Sequence, residues 1–156
     1  MPLRMLKIAD VIPFTYVFEG NIKASMADIG RKVGSKTIGL AIQTVPPGCL
    51  SSRRHKHVFQ EEILVVMSGS GLLHHAAERI PVGPGDCVCY LPEDPEPHAF
   101  ENTGSADLVI WAFGNRFPHE VCLYPDQGLA FVEGLGADVP LDQTMRSDWT
   151  EDRRPR

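Results

Sequence analysis

The stretch His55-Lys56-His57-Val58-Phe59-Gln60-Glu61-Glu62 decides how the rest of this chain is interpreted. Its two histidines are separated by one residue, so on an extended strand both imidazoles leave the same face. Strand rise places them about 6 to 7 Å apart along the backbone, which is close enough to share one ion. Glu62 opens the next apolar run and can reach the same point. The stretch therefore predicts three donors to one metal ion.

A third histidine stands in the distant stretch Pro97-His98-Ala99-Phe100-Glu101-Asn102, just after a proline-rich loop. A strand that starts beside the first pair would bring this imidazole to the same ion. Three neutral imidazoles and one carboxylate leave one or two positions open on a five- or six-coordinate ion, which suits binding of substrate or dioxygen. The candidate metal ligands, and with them the candidate catalytic residues, are His55, His57, Glu62 and His98.

Short apolar segments separated by Gly- and Pro-rich turns make up the middle of the chain. The alternating segment that starts at Thr37 is broken by Pro46-Pro47-Gly48. The other segments are 62–67, 72–76, 79–82, 87–91, 98–102 and 108–113. Short strands at intervals of roughly eight to twelve residues predict an all-β sandwich or barrel rather than β-α-β units.

Size and charge exclude several classes of protein. A chain of 156 residues and 17.2 kDa is expected to form one domain. No apolar run approaches the ~20 residues of a membrane-spanning helix, and residues 1–7 do not resemble a secretory signal, so we expect a cytoplasmic protein with no membrane partner. A net charge of −5 argues against nucleic acid as the main partner.

The order of these residues resembles the two signatures of the cupin superfamily. The first signature is matched by Gly48, His55-x-His57, Glu62 and Gly69, and the second by Gly85-Asp86, Pro92, His98 and Asn102. Two departures, one extra residue between Gly48 and His55 and a replaced glycine in the loop 92–98, affect the shape of the loops. The spacing of six residues to Gly69 favours Glu62 over Glu61, which on a strand points away.

The resemblance implies a double-stranded β-helix, a jelly-roll barrel of two antiparallel sheets with the metal ligands pointing into its mouth. The segment from Trp111 to Arg116, with Glu120-Val121 and Tyr124-Pro125-Asp126 following it, also resembles small bacterial cupins of largely unassigned activity. This extends the likeness to about residue 132. The chain then divides into an N-terminal arm (1–36), the barrel (37–132) and a C-terminal tail (133–156). The implied cofactor is one divalent transition metal ion, Fe, Mn, Ni or Zn, among which the ligands do not choose.

The arm is expected to contain at most one short helix, near 24–31. Many cupins are homodimers, often through such an arm, and Tyr16 to Phe18 would serve that role here, with packing inside the same chain as the alternative. Around the predicted metal, the substrate pocket is predicted to include Arg53, Tyr90, Phe100 and Trp111. Arg53 or Arg54 would pair with a substrate carboxylate, unless both are solvated loop charges.

The predicted function is that of a metal-dependent enzyme acting on a small molecule. Oxygen chemistry of the dioxygenase type, hence an oxidoreductase, is its most natural form. Isomerisation or decarboxylation, with the ion as a Lewis acid that polarises a carbonyl group, comes next. The alternative is a non-catalytic cupin that binds a small molecule or regulates a partner.

Overall fold

The computed structural model describes residues 3–92 and 94–141, and within them the chain is mostly β-structure. The strands are Phe14–Val17 (β1), Lys23–Asp28 (β2), Ile38–Val45 (β3), Lys56–His57 (β4), Glu62–Ser68 (β5), Gly71–His75 (β6), Glu78–Val82 (β7), Cys87–Tyr90 (β8), His98–Glu101 (β9), Leu108–Asn115 (β10), Val121–Tyr124 (β11), Leu129–Val132 (β12) and Ala137–Pro140 (β13). The helices are a 3-10 turn at Ile8–Asp10 and α1 at Ile29–Val33. No helix in the described ranges is long and apolar enough to cross a membrane.

The strands form antiparallel sheets that wrap around one core. The largest sheet has the order β1-β2-β3-β10-β5-β8, a second has the order β13-β12-β11-β4, and a third has the order β7-β6-β9. Backbone hydrogen bonds between His55 and His98 connect the β4 region to β9. The predicted all-β fold, a double-stranded β-helix, is confirmed.

Strand β10 lies at the centre of the largest sheet, paired with β3 on one side and β5 on the other. Side chains alternate along it, so Leu108 and Ile110 are completely buried while Trp111 points to the outer face. The inward residues of this sheet meet those of the three-stranded sheet in a core that contains Val45, Leu64, Val66, Leu73, Tyr90, Phe100, Leu108 and Ile110. This core supports the strands that carry the candidate ligands.

The predicted N-terminal arm extends the largest sheet. Residues 23–28 form strand β2, paired with β3, where a helix near 24–31 was expected. The helix begins only at Ile29, because the side chain of Asp28 caps it by accepting a hydrogen bond from the Arg31 N–H at 2.9 Å. Tyr16 in β1 donates its hydroxyl to the Ser51 carbonyl at 2.6 Å, so this side chain contacts its own chain. The homodimer stays a prediction.

The predicted C-terminal tail also contributes to the sheets. Strand β13 pairs with β12, and β11 pairs with β4 by setting Cys122 opposite His57. The predicted boundary at residue 132 therefore falls inside the hairpin formed by β12 and β13. Residues 142–156 of the predicted tail lie outside the described residues. Residues of this hairpin line the cavity that contains the candidate ligands.

Candidate metal centre and ligand cavity

The backbone places two of the predicted ligands side by side. His55 N–H donates to the His98 carbonyl at 3.0 Å, and His98 N–H donates to the His55 carbonyl at 2.8 Å. Residues that exchange both hydrogen bonds across an antiparallel pair send their side chains to the same face. The two imidazole centroids are accordingly 4.6 Å apart. His57 follows on the same face, with its ring centroid 5.2 Å from that of His55.

Glu62 reaches this cluster from the start of β5. Its Oε2 lies 3.2 Å from His98 Nε2 and 3.8 Å from His57 Nε2. Glu61 points the other way, since its Oε1 is 3.7 Å from the exposed thiol of Cys89. The structure thus places the four predicted ligands around one cavity, with His57 the furthest from His98 at 6.5 Å between ring centroids. Glu61 lies outside, as expected from the alternation of side chains on a strand.

The donor atoms fit a divalent transition metal ion. One ligand atom from each of His55, Glu62 and His98 lies within 4.8 Å of the other two. The Nδ1 of His55 is 3.0 Å from the Arg53 carbonyl, which leaves Nε2 to face the cluster. Imidazole nitrogens grouped around one largely buried carboxylate form a donor set suited to Fe, Mn, Ni or Zn.

Burial and charge set the protonation of these ligands. Burial opposes ionisation of Glu62, but the adjacent His98, His57 and His55 outweigh it and lower the pKa of this carboxyl to about 2. Burial and the other two histidines lower the pKa of His55 to about 3. At neutral pH the carboxylate is therefore ionised and this imidazole is neutral, and these are the forms that bind metal.

Glu120 lies beside His57, on the side of its Nδ1 atom, and was not predicted from the sequence. This residue is 5% exposed, and its carboxylate accepts hydrogen bonds from the N–H groups of Val58 at 2.9 Å and Phe59 at 3.2 Å. Its Oε1 lies 3.4 Å from His57 Nδ1. Burial disfavours a charged His57, yet Glu120 and Glu62 together raise the pKa of that imidazole. Such a carboxylate orients a histidine ligand, and no spacing in the sequence signals it.

We expect Glu120→Gln to weaken metal binding about 10-fold, because the neutral amide keeps an acceptor for the backbone but no longer orients His57 by charge. The measurement is competition for Zn(II) against a chelator of known affinity. Glu61→Gln is the matched control, since Glu61 is an exposed carboxylate outside the cluster. Equal affinities for the Glu120 and Glu61 variants would show that Glu120 does not support the site.

Cys122 is a further candidate ligand that the sequence did not predict. Its thiol forms a second group with His55 and His57, in which one ligand atom of each residue lies within 4.8 Å of the others. The direct pairing of Cys122 with His57 between β11 and β4 explains this proximity. Burial raises the pKa of the thiol to about 12. Cys122 is 65 residues after His57 in the sequence, so no local spacing pattern could predict that the two residues are neighbours.

A cavity of about 750 Å³ opens onto the cluster, and all four predicted ligands line it. Most of its remaining wall is apolar. The aromatic residues that line it are Phe14, Tyr16, Phe18, Phe100, Tyr124 and Phe131. These residues come from β1, β9, β11 and β12 or lie just after β1, so the predicted arm and the C-terminal hairpins build much of the wall.

The structure divides the four residues predicted for the substrate pocket. Arg53 and Phe100 line the cavity, whereas Tyr90 and Trp111 do not. Tyr90 is stacked on His98, with centroids 3.8 Å apart and planes inclined by 11°, so it supports that ligand from the other side. Trp111 lies on the outer face of β10 next to Phe113 because residues 108, 110 and 112 take the inward positions.

Both arginines before His55 are paired with acidic side chains of the same chain. Arg53 binds both oxygens of Glu19, at 2.9 and 3.1 Å, and binds Asp138 at 3.3 Å. Arg54 donates to the Ala76 carbonyl at 2.7 Å and lies 3.0 Å from Asp126. The partners of Arg53 come from the turn after β1 and from β13, two segments that sequence analysis had not placed next to it.

The fold and the site define a β-barrel protein with a histidine-carboxylate cluster that faces an aromatic cavity. Residues 41–113, just under half of the chain, match the family described as the cupin domain, and this match supports membership of the cupin superfamily. An oxalate-binding protein of Thermotoga maritima is 39% identical over 68 residues, which are 44% of this chain and 54% of that protein. An uncharacterised protein of Methanocaldococcus jannaschii is 33% identical over 94 residues, 60% of this chain and 61% of that one. The chain thus spans less than two thirds of either relative.

Solved structures are similar to this chain over a longer part of its length than the relatives found by sequence. A putative sugar phosphate isomerase from Acidithiobacillus ferrooxidans superposes with a TM-score of 0.78 at 26% identity, covering 88% of this chain and 90% of that one. A sugar phosphate isomerase of the cupin superfamily from Silicibacter pomeroyi gives a TM-score of 0.73 at 27% identity, covering 81% and 84%. A predicted oxalate decarboxylase from Thermotoga maritima, at 24% identity and a TM-score of 0.59, shares the fold.

Proposed function

We propose that this protein is a metal-dependent cupin enzyme that acts on a small molecule bound in the aromatic cavity. The observation that carries this proposal is the convergence of three imidazoles and one carboxylate on a cavity of about 750 Å³. His55, His57, Glu62 and His98 would hold one divalent ion of Fe, Mn, Ni or Zn. Such an ion supplies either activation of dioxygen or polarisation of a substrate oxygen.

Oxygen chemistry of the dioxygenase type is the form that the cavity supports best. An isomerase or a decarboxylase usually needs a base or acid, separate from the ligands, that is free to transfer a proton. Among the described residues that line the cavity, the other carboxylates already have partners: Glu120 accepts from Val58 and Phe59, Glu133 pairs with Arg31, and Asp138 pairs with Arg53. The hydroxyl of Tyr16 is engaged by Ser51 and Gln43.

Isomerisation or decarboxylation is the second candidate, and similarity favours it. Two structures of related shape, at 26% and 27% identity, are described as sugar phosphate isomerases. The relative described as an oxalate-binding protein favours a third candidate, binding of a small molecule without turnover. Cytoplasmic location stays a prediction.

Metal analysis followed by oxygen uptake tests the proposal. We expect protein purified without chelators to contain about one equivalent of transition metal per chain. After anaerobic loading with Fe(II), we expect oxygen consumption with at least one of a panel of catechols, flavonols, thiols and keto acids, and none after the metal is removed. Metal without oxygen uptake would move the assignment to isomerase or binding protein. A chain that retains no metal would contradict the proposal altogether.

A further inference from the structure

The walls of the cavity restrict the kind of molecule that can reach the metal cluster. We infer that the ligand is an uncharged, flat aromatic molecule that presents an oxygen atom to the cluster, and that phosphorylated sugars and small dicarboxylates are disfavoured. This inference rests on the proposed function, since it names the substrate class of the same site.

One wall is a continuous row of aromatic rings. Phe14 and Tyr16 alternate along β1, and Phe18 continues the same spacing just beyond its end. Their centroids are 6.2 Å apart for the first pair and 5.6 Å apart for the second. Phe14 is 55% exposed and Phe18 is 45% exposed, so both apolar side chains leave much of their surface uncovered by the protein. Exposed ring faces that line a cavity gain most by stacking against another ring.

Further rings continue this wall to the cluster. Tyr124 lies beside the metal donors, with its centroid 6.1 Å from that of His55, and Phe131 lines the cavity from β12. The hydroxyl of Tyr16 donates to the Ser51 carbonyl, so it is the face of this ring rather than its polar end that is left for a ligand. An aromatic ligand can therefore stack along the wall while one of its oxygens reaches the imidazole cluster.

The charges around the cavity argue against an anion. Among the described residues that line it, Arg53 is the sole lysine or arginine. Its guanidinium group is bound by the carboxylates of Glu19 and Asp138 and lies over the Phe18 ring at 4.7 Å. Recognition of phosphate or dicarboxylate normally uses a free arginine or lysine. The remaining lining side chains that carry charge, apart from the histidines, are carboxylates, so none of them can donate a hydrogen bond to an anion: Glu62, Glu120, Glu133 and Asp138.

Calorimetric titration of the metal-free protein measures how tightly the cavity walls alone bind a ligand, without a bond to the metal ion. The probes are 2-naphthol, which is neutral at pH 7, and the anions fructose 6-phosphate and oxalate. We expect 2-naphthol to bind at least 10-fold more tightly than either anion, and to bind more tightly still to Zn(II)-loaded protein. We expect Phe14→Ala to weaken naphthol binding about 5-fold, as the loss of one aromatic contact predicts.

Phe113→Ala is the matched control, because Phe113 lies with Trp111 on the outer face of the same sheet and should leave naphthol binding unchanged. Tighter binding of either anion, or equal naphthol affinity in the Phe14 variant and the unmodified protein, would overturn the inference. Naphthol binding by a protein that fails to retain metal would instead overturn the proposed function alone. Metal retention with a preference for anions would overturn the ligand class alone.

Discussion

Protein carrying His57→Ala is expected to bind its metal ion about 100-fold more weakly or worse, and to lose any turnover that depends on the ion. Mutation of a residue that only hydrogen-bonds to a metal ligand already weakens metal binding by about 10- to 100-fold, and loss of a ligand itself should exceed that. The Nε2 of His57 faces Glu62 at 3.8 Å, and its ring is 5.2 Å from that of His55. The measurement is elemental analysis of the purified variant together with competition against a chelator.

His119→Ala provides the control for this substitution. His119 is an exposed histidine in the turn before β11, where its ring contacts those of Phe59 and Phe117 rather than the cluster. This variant should retain metal like the unmodified protein. Circular dichroism should show that both variants are folded, since His57 lies at the cavity and outside the main core. Full metal content in folded His57→Ala would remove this residue from the site.

Sequence spacing predicts the candidate ligands well because strand geometry is simple. A separation of two residues places His55 and His57 on one face, and the same alternation separates Glu62 from Glu61. The turn residues between apolar segments locate most of the strands from β3 to β10. Local patterns of this kind depend on neighbouring residues, so they can be interpreted without knowing the three-dimensional contacts.

Features that depend on distant pairing were not predictable in the same way. Glu120 and Cys122 reach the cluster because β11 pairs with β4, and no spacing rule connects strands more than 60 residues apart. Arg53 is neutralised by Glu19 and Asp138, which approach it from opposite ends of the described chain. Residues 23–28 form β2 rather than the expected helix, because pairing with β3 satisfies the backbone hydrogen bonds of this segment and buries Ala24 in the core.

Asn102→Ala is expected to lower the free energy of unfolding by about 4 kcal/mol, since several buried groups would lose their partners at once. The side chain of Asn102 is completely buried. Its amide donates to the Val45 carbonyl at 2.7 Å and to the Ala106 carbonyl at 2.8 Å, and its Oδ1 accepts from Gly104 N–H at 2.9 Å. These bonds fix the turn that follows β9. Urea denaturation gives the measurement.

Two variants separate the hydrogen bonds of Asn102 from its volume. Asn102→Asp keeps the shape and the acceptor for Gly104, but turns a second oxygen towards two carbonyl groups, so it should be destabilised as well. Asn21→Ala removes an exposed amide that makes one bond, at 3.0 Å to the Gly48 carbonyl, and should cost less than about 1 kcal/mol. If Asn102→Asp unfolds at the same urea concentration as the unmodified protein, the two donated bonds do not stabilise the turn. In that case packing and the backbone hydrogen bonds of Asn102 with Gly48 and Cys49 would hold the end of β9 in place.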